Sequence, residues 1–396
     1  MNRTFSANHY STGEPVQVHF EDGRITGVEA TSSADDLPYV APGLFDIQIN
    51  GYSGIWFSSP KLSTADVEQV TQSMLAHGVA GYFPTLVTNS FDALKHGFET
   101  IRQACETSDV VRACVRGCHL EGPYISAEDG PRGAHPLQHV RDADIDEFDA
   151  LQAASGNRIR LVTLAAETGN AVPFIRHLVN SGVVVALGHT AATSVQIAAA
   201  VDAGAKLSTH FGNGAHGVLP RHPNYLWEQL ADERLWASVI ADGFHVPASV
   251  LNCVRLCKTT AHTILTCDVS GFAGCPPGTY AEGDVAVEVL DDGRLVVAGQ
   301  RQYLAGSGAT TGDCIVGMMA ACSIPLGTAI DMATANPSRL MGEPVGEITP
   351  GAEATLTVFR LIESSVGGSS VPGRAATHFD TITTIVKGDL LFGNLP

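Results

Sequence analysis

Short apolar runs and longer amphipathic stretches take turns along the middle of the chain. The runs have the length of buried strands and end at turn residues, whereas stretches such as 67–76 and 194–203 carry apolar residues at helical spacing. Strands that alternate with helices favour a parallel sheet built from βα units. The pattern predicts strands at 44–50, 81–85, 115–120, 159–164, 183–187, 206–209, 236–241 and 263–267.

These eight strands and their helices predict an α/β fold, a (β/α)8 TIM barrel, over residues 42–341. The two chain ends differ, because they carry short strands with tight turns and neither is long enough to hold a core alone. We therefore expect residues 1–41 and 342–396 to pair into one small β-sandwich domain. A separate hairpin is predicted near 285–297, with its turn at 291–294.

The composition of the 396 residues narrows the class of protein. Hydrophobic residues make up 44% and charged residues 16%, which is typical of a globular chain with ample core. A formal net charge of −18 argues against nucleic acid or an anionic membrane surface as a partner, so an anionic substrate needs a local basic pocket. The amino-terminal stretch lacks a signal-peptide core and no apolar run reaches membrane-spanning length, so we expect a cytoplasmic location.

Polar residues of the types that bind metals or take part in catalysis follow the predicted strands. Glu121 comes directly after an apolar run, where a buried carboxylate is costly unless a positive partner lies beside it. In a barrel of this kind catalytic groups collect at the carboxyl ends of the strands, so the residues at these positions are expected to converge. They are Gln48, Asn50, Glu121, His189, His210, Asp242, His245 and Asp268.

Two histidines and one carboxylate at a single barrel mouth match a catalytic zinc site with three protein ligands and one open position. Such an ion lowers the pKa of bound water to about 7, but a nearby group must still accept the proton. Asp268 is the candidate for that role. Each residue also has an ordinary alternative, since a lone histidine at a strand end is more often structural and Asp268 could cap the next helix.

Several short motifs occur in order along nearly the whole chain. They are Pro42-Gly43-Leu44-Phe45-Asp46, His119-Leu120-Glu121-Gly122-Pro123-Tyr124, Gly133-Ala134-His135-Pro136, Leu187-Gly188-His189-Thr190, Ser208-Thr209-His210, Ile240-Ala241-Asp242-Gly243-Phe244-His245-Val246, Pro276-Pro277-Gly278-Thr279-Tyr280, Leu304-Ala305-Gly306-Ser307 and Thr334-Ala335-Asn336-Pro337. Together these motifs resemble the N-acetylglucosamine-6-phosphate deacetylases of the amidohydrolase superfamily.

The resemblance implies a role for each matching position. Glu121, His189 and His210 match the metal ligands of the family, and Asp268 matches its catalytic aspartate. His135 matches the histidine that holds and polarises the acetamido carbonyl of the substrate. The implied reaction is metal-dependent hydrolysis of the acetamide of N-acetylglucosamine 6-phosphate, or of a close N-acetylhexosamine phosphate, to the amino sugar phosphate and acetate.

The resemblance also implies how the phosphate is held. Arg221 and His245 match residues that grip the sugar phosphate, and Asn213 with the backbone of Gly214 matches a further phosphate-contacting pair. In this family the arginine reaches the phosphate from a neighbouring subunit. A homodimer with Arg221 in the neighbouring active site is therefore implied.

Two departures from the family pattern limit what can be carried over. Many amidohydrolases have His-x-His in the first strand, where this chain has Gln48 and Asn50; we expect these amides to hydrogen-bond behind the ligands. A single zinc ion is therefore expected, with iron or another divalent ion left open. The loop 211–216 is also unusual, with two glycines and a histidine, His216, and it leaves the gluco or galacto configuration of the sugar open.

Two other functions remain as alternatives at this point. One is a different amidohydrolase that acts on a cyclic amide or an N-acyl amino acid, and that would not require a phosphate. The other is a non-catalytic barrel, which the presence of all three expected ligands and of Asp268 disfavours.

Overall fold

The computed structural model describes residues 2–32, 36–282, 285–364 and 376–396. The described strands, numbered along the chain, are β1 (Arg3–His9), β2 (Pro15–Glu21), β3 (Arg24–Ala30), β4 (Tyr39–Pro42), β5 (Leu44–Ile49), β6 (Gly51–Tyr52), β7 (Ile55–Trp56), β8 (Val79–Val87), β9 (Cys118–Glu121), β10 (Ile159–Leu164), β11 (Val184–Leu187), β12 (Leu207–Ser208), β13 (Trp236–Val239), β14 (Thr263–Leu265), β15 (Gly278–Glu282), β16 (Val285–Val289), β17 (Leu295–Val297), β18 (Gln300–Leu304), β19 (Leu356–Ser364), β20 (Ala376–Val386) and β21 (Asp389–Gly393).

Helices occupy much of the chain between the barrel strands. The described helices are α1 (Thr64–Ala76), α2 (Phe91–Thr107), α3 (Asp109–Cys114), α4 (Ile145–Ala154), α5 (Ala171–Asn180), α6 (Ser194–Asp202), α7 (Tyr225–Ala231), α8 (Ala248–Lys258), α9 (Thr311–Cys322), α10 (Leu326–Met332) and α11 (Ala335–Met341), with one 3-10 turn at Leu137–His139. None of these described helices combines the length and hydropathy needed to cross a membrane.

Eight parallel strands form a nearly closed barrel in the order β14-β13-β12-β11-β10-β9-β8-β5. The gap between the first and last strands is bridged by a parallel pairing of Ile49 with Val269, where the Asn50 N–H donates to the Val269 carbonyl at 3.0 Å. The predicted (β/α)8 barrel is thus confirmed. Its strands carry their functional residues to one rim because all eight run in the same direction.

The predicted third strand, 115–120, has the wrong start. The chain forms helix α3 up to Cys114, and Val115 is the C-cap of that helix, so the strand begins only at Cys118 and reaches Glu121. Apolar residues before a strand cannot be assigned from the pattern alone, because a short buried helix carries the same side chains. Strands β12 and β14 are also shorter than predicted.

The side chains inside the barrel are apolar at one end of its axis and polar nearer the other end. Large apolar side chains, including Phe45, Phe83 and Leu161, form one buried cluster with Leu340 and Met341 of α11.

A buried polar layer lies nearer the functional rim. The His119 ring contacts Thr163 Oγ1 at 2.8 Å, and Thr163 Oγ1 contacts Thr209 Oγ1 at 2.7 Å. His119 precedes Glu121 by two residues and Thr209 directly precedes His210, so this hydrogen-bonded layer supports both of these rim residues.

The two chain ends form one seven-stranded sheet in the order β21-β20-β19-β4-β1-β2-β3. The start of β3 also contacts the segment that precedes β19, because the Ala354 N–H donates to the Gly23 carbonyl at 2.9 Å and the Ile25 N–H donates to the Ala352 carbonyl at 2.9 Å. Both halves of this continuous sheet contribute to one apolar core, which fits the predicted sandwich. The exact domain boundaries stay a prediction, and residues 33–35 and 365–375 of the small domain lie outside the described residues.

The hairpin predicted near 285–297 is confirmed and is part of a larger unit. Strands β15 to β18 form a four-stranded antiparallel sheet inserted after the last barrel strand. Its apolar face packs on Phe272, and the partly buried Trp56 and Ala134 lie against the same cluster. Since Ala134 precedes His135, this inserted sheet lies beside the carboxyl-terminal rim of the barrel.

Candidate active site

Three residues from three barrel strands meet at the rim. Glu121 ends β9, His189 follows β11 and His210 follows β12. Both histidines have left-handed backbones, with φ of 50° and 28°, which turn the chain sharply at the strand end and direct the rings over the barrel mouth. Glu121 Oε1 lies 2.8 Å from His210 Nε2 and 3.3 Å from His189 Nε2.

The hydrogen bonds of this cluster favour a bound cation. His189 Nδ1 lies 2.8 Å from the Pro131 carbonyl, which can only accept, so Nδ1 carries the proton and Nε2 presents its lone pair. That Nε2 is 3.0 Å from His210 Nε2, and His210 Nδ1 has no partner among the described residues. Two imidazole nitrogens and a carboxylate oxygen that converge in this way fit a divalent ion such as zinc.

The surroundings of Glu121 favour the charged form of its carboxylate. Burial by itself raises the pKa of Glu121, but hydrogen bonds and charge from His189 and His210 outweigh it and hold the pKa well below its ordinary value. For His210 the opposite happens, since burial lowers its pKa and the Glu121 carboxylate more than restores it. The cluster therefore keeps Glu121 ionised, as a metal ligand requires.

Asp268 lies beside this cluster and is joined to it by two amide side chains. Gln48 Nε2 donates to Glu121 Oε1 at 3.0 Å and to Asp268 Oδ1 at 2.9 Å, and Asn50 Nδ2 donates to the same Asp268 oxygen at 2.8 Å. The amides thus contact the carboxylates, in the hydrogen-bonding arrangement expected from the sequence. Burial and the nearby Glu121 charge raise the pKa of Asp268 to about 7, which suits a group that accepts and returns a proton.

A fully buried carboxylate, Asp46, lies behind Gln48 and Asp268. It accepts hydrogen bonds from the backbone N–H of Gln48 at 3.0 Å and of Cys267 at 2.9 Å. The Thr266 and Thr311 hydroxyls donate to it at 2.6 and 2.7 Å. Asp46 therefore ties β5 to β14 and to α9, and fixes the two strand ends that carry Gln48 and Asp268.

His135 is brought to the same site by the loop after β9. Its ring centroid lies 4.3 Å from that of His189, and its Nδ1 lies 2.7 Å from Thr88 Oγ1. Burial and the neighbouring His189 lower the pKa of His135 to about 3, so the ring is neutral near pH 7. If the Thr88 hydroxyl donates to Nδ1, the proton sits on Nε2, which can then donate to a substrate carbonyl.

One cavity of about 940 Å³ is lined by Asn50, Thr88, Glu121, His135, His189, His210 and Asp268, and Gln48 and Asp46 lie behind its wall. The predicted phosphate-contacting residues Asn213, Gly214 and His245 line it as well, whereas Arg221 is exposed and is not among the lining residues of its own chain. His245 is held by Asp242, whose Oδ2 lies 2.7 Å from His245 Nδ1. The structure thus brings together every predicted site residue in or behind the cavity except Arg221.

Glycine is required at position 214 by its surroundings. Gly214 has a φ of 55°, and a Cβ there would lie 2.6 Å from His189 Nδ1. The glycine lets the loop pass directly beside the His189 ring, at the edge that donates to Pro131. The unusual composition of the loop 211–216 therefore has a steric reason at this position.

The histidine of that loop, His216, lies beside the cavity and does not line it. The ring of His216 lies between Tyr225 and Glu128, with Nδ1 3.0 Å from Tyr225 Oη and Nε2 3.1 Å from Glu128 Oε2. It is not among the described residues that line the cavity. His216 links two loops beside the cavity.

Some residues with a place in the site were not predicted from the sequence, among them Thr88, Arg294 and Arg301. Thr88 contacts His135, and Arg294 and Arg301 line the cavity from the inserted sheet. Thr88 follows β8, so its position at a strand end was an available signal. Arg294 lies in the turn between β16 and β17 and Arg301 lies in β18, and only the packing of the inserted sheet brings them to the barrel mouth.

The chain is similar to known proteins over most of its length. Residues 39–391 match the family model described as the amidohydrolase family. The chain is 32% identical to an N-acetylgalactosamine-6-phosphate deacetylase of Escherichia coli O157:H7, over 86% of this chain and 89% of that protein. It is also 32% identical to the human N-acetylglucosamine-6-phosphate deacetylase, over 87% of this chain and 84% of that protein.

A solved structure has the same fold with similar coverage. It is a mutant of the N-acetyl-D-glucosamine-6-phosphate deacetylase from Mycobacterium smegmatis in complex with N-acetyl-D-glucosamine-6-phosphate. It aligns with a TM-score of 0.84 at 26% identity, covering 98% of this chain and 99% of that chain.

Proposed function

This chain belongs to the amidohydrolase family, in the branch of the N-acetylglucosamine-6-phosphate deacetylases, and we propose that it hydrolyses the acetamide of an N-acetylhexosamine 6-phosphate. The products are the amino sugar phosphate and acetate. The observation that carries the proposal is the convergence of Glu121, His189 and His210 beside Asp268 in one cavity. Other amidohydrolase reactions are disfavoured, because the relatives that match over most of the chain are deacetylases of phosphorylated amino sugars.

Glu121, His189 and His210 would hold one divalent ion, for which zinc is our proposal because a site of two histidines and one carboxylate with an open position is typical of catalytic zinc. When bound, such an ion supplies a Lewis acid for the acetamide carbonyl and lowers the pKa of a water molecule. Gln48 and Asn50 orient the carboxylates around it.

Asp268 moves the protons of the reaction. It accepts a proton from the attacking water as the new carbon–oxygen bond forms, and it returns that proton to the amine nitrogen as the carbon–nitrogen bond breaks. Burial and the Glu121 charge raise the pKa of Asp268 in the metal-free site, and a bound cation lowers it again, so Asp268 meets the attacking water as a carboxylate. The amide N–H groups of Gln48 and Asn50 both donate to Oδ1 and hold the carboxylate in place, which leaves Oδ2 to accept the proton.

His135 is placed to bind the acetamide carbonyl. Its ring is neutral, buried and fixed by Thr88, so an Nε2–H directed into the cavity stabilises negative charge on the carbonyl oxygen as water adds. The close His189 ring limits how His135 can rotate. This positions the carbonyl next to the ligand cluster.

The phosphate is expected to lie against a wall of the cavity formed after β12 and β13. His245 and Asn213, with the backbone of Gly214, line this part of the wall. Arg221 is exposed on its own subunit, which suits a residue that reaches the cavity of a second copy. A homodimer and a cytoplasmic location are further proposals that agree with a small phosphorylated substrate.

Acetate release from four substrates tests the proposed function. N-acetylglucosamine 6-phosphate, N-acetylgalactosamine 6-phosphate and their two unphosphorylated sugars are compared with the zinc-loaded protein. We expect efficient hydrolysis of at least one phosphorylated sugar and poor hydrolysis of both unphosphorylated sugars. The galacto substrate is included because one of the similar relatives is named for it. Equal activity with and without the phosphate contradicts the proposal.

A further inference from the structure

Positive charge at the cavity mouth comes from the inserted sheet. Among the described residues that line the cavity, the permanent cations are Arg294 and Arg301, and both belong to the unit formed by β15 to β18. The acidic lining residues are Glu121, Asp268 and Glu282. In a chain with a net charge of −18, an anionic substrate needs such local cations.

Arg294 is the better placed of the two arginines. It follows the tight turn between β16 and β17, and its guanidinium carbon lies 5.6 Å from the ring centroid of Phe244. Phe244 directly precedes His245, which is a predicted phosphate contact. Arg301 is more exposed, at 67%, and is paired with Glu288 across the sheet.

The turn that carries Arg294 is packed against the active-site loops. A Cβ on Gly308 would lie 2.1 Å from the Gly293 carbonyl, so the two backbones are in close contact. One residue earlier, the Ser307 N–H donates to the Asp268 carbonyl at 2.9 Å. Backbone contacts thus hold the turn that carries Arg294 against the segment that is hydrogen-bonded to Asp268.

The present partner of Arg294 can give way to a phosphate. Its Nε and Nη2 both contact Asp292 Oδ2 at 2.8 Å, and both side chains are about two-fifths exposed, at 41% and 45%. An exposed pair of this kind has little net stability, whereas a phosphate dianion accepts two parallel N–H bonds from a guanidinium. The guanidinium carbon lies 5.6 Å from the Phe244 ring centroid, which places this cation beside the residue that precedes His245.

We propose that Arg294 binds the substrate phosphate from within the same subunit, next to His245 and in addition to any arginine from a second copy. The inference rests on the proposed function. It makes the inserted sheet a determinant of substrate choice, because the phosphate is recognised by the unit that also forms a wall of the cavity. Loss of the guanidinium should therefore weaken phosphate recognition selectively.

The test uses the zinc-loaded protein with Arg294→Gln and Arg294→Lys. The preference for the phosphorylated over the unphosphorylated sugar, as a ratio of kcat/KM, should fall by roughly 10- to 100-fold in Arg294→Gln. Arg294→Lys keeps the charge without the planar fork and should lose less. Inhibition by inorganic phosphate should weaken in the same order. Arg234→Gln, which removes an exposed arginine paired with Asp202 and Asp232 outside the cavity lining, is the matched control.

Each outcome decides a different point. Wild-type preference in Arg294→Gln, in a protein that hydrolyses the phosphorylated sugar, overturns this inference and leaves the proposed function intact. An equal loss on both sugars assigns Arg294 a structural role and also overturns it. Absence of any phosphate preference in the wild-type protein overturns the proposed substrate and this inference together.

Discussion

Gln48 joins the two carboxylates of the site. Its single amide nitrogen contacts both Glu121 and Asp268, while its backbone N–H is fixed by the buried Asp46. Without this N–H donor, less positive charge would lie between Glu121 Oε1 and Asp268 Oδ1 to offset their electrostatic repulsion. Gln48 therefore orients Glu121, the proposed metal ligand, and affects the protonation of Asp268, the proposed proton acceptor.

Replacement of Gln48 by methionine keeps the volume and removes the donor. We expect kcat/KM to fall by roughly 10- to 100-fold, with weaker zinc binding. Gln229→Met is the matched control, because Gln229 is also buried but its Nε2 donates to the Tyr225 carbonyl within α7. Full activity and full zinc content in Gln48→Met would show that the bridge is unimportant.

Zinc binding should release a proton from Asp268. Without the ion the pKa of Asp268 is about 7, so the group is about half protonated at pH 7. A bound cation favours the carboxylate and lowers this pKa, so binding at pH 7 releases about half a proton from this residue. At pH 9 Asp268 is already ionised, and the contribution disappears.

Calorimetric zinc titrations in buffers with different ionisation enthalpies measure this release. At pH 7, Asp268→Asn should release about half a proton less than the wild-type protein, and at pH 9 the two should agree. The same substitution should lower kcat by roughly 10²- to 10⁴-fold, because the proton acceptor is lost. Identical proton release by both proteins at pH 7 contradicts the raised pKa.

Prediction from sequence succeeded for residues whose position is fixed by a strand end. Glu121, His189 and His210 each follow an apolar run, and parallel strands of one barrel bring them together. The Thr88 contact with His135 and the role of Asp46 could not be predicted in this way. Both depend on which side chains meet across the barrel, and strand periodicity does not contain that information.

At the scale of elements, the site consists of short strands that end in sharp turns. Strand β12 has only two residues, and His189 and His210 have left-handed backbones two positions after the ends of β11 and β12. The loop that follows His210 passes back under the His189 ring at Gly214. The loops rather than the strands therefore set the approach of the two rings.

Gly214→Ala tests this loop contact. The added Cβ would lie 2.6 Å from His189 Nδ1, so the ring must move and its bond to Pro131 weakens. We expect at least about a 10-fold loss of zinc affinity. Gly342→Ala is the matched control, because its φ of 66° gives similar backbone strain but nothing lies within 4 Å.

In the control we expect a loss of about 1–2 kcal/mol in the free energy of unfolding and unchanged zinc affinity. Equal zinc affinity of Gly214→Ala and the wild-type protein would mean that the ring position does not depend on this contact.

Element boundaries show where the hydrophobic pattern is ambiguous. The run at 115–120 reads as one strand, yet its start belongs to the C-cap of α3. The inserted hairpin was predicted from its turn, but its pairing into four strands and its packing on Phe272 were not. Such docking is decided by tertiary contacts between distant segments, so the arginines that it brings to the cavity were missed.

At the scale of the whole molecule, one chain brings together the proposed metal ligands and the proposed proton acceptor, and Arg221 is not among the described residues that line its cavity. The proposed homodimer would supply Arg221 from the second copy. The large net negative charge makes each added cation important, because the surface as a whole repels an anionic substrate. Arg294 and a partner's arginine would then act on the same phosphate from two sides.

Complementation between two inactive variants tests whether Arg221 acts in the active site of the neighbouring subunit. Arg221→Gln and Asp268→Asn are co-expressed with different tags, and the heterodimer is isolated. If Arg221 acts on the neighbouring subunit, one of the two sites has both residues, and the heterodimer regains about half of the wild-type activity. If Arg221 acts within its own subunit, neither site is complete and activity stays near that of the parents. A monomer by light scattering also contradicts the dimer.

A metal titration followed by acetate release tests whether Glu121, His189 and His210 share one catalytic ion. Metal-free protein is loaded with increasing zinc, and hydrolysis of an N-acetylhexosamine 6-phosphate is recorded at each step. The convergence of Glu121, His189 and His210 on one point predicts a linear rise that ends at about one equivalent per chain, with no rise in Glu121→Gln. Activity without added metal, or a rise that continues to two equivalents, would contradict the single three-ligand centre.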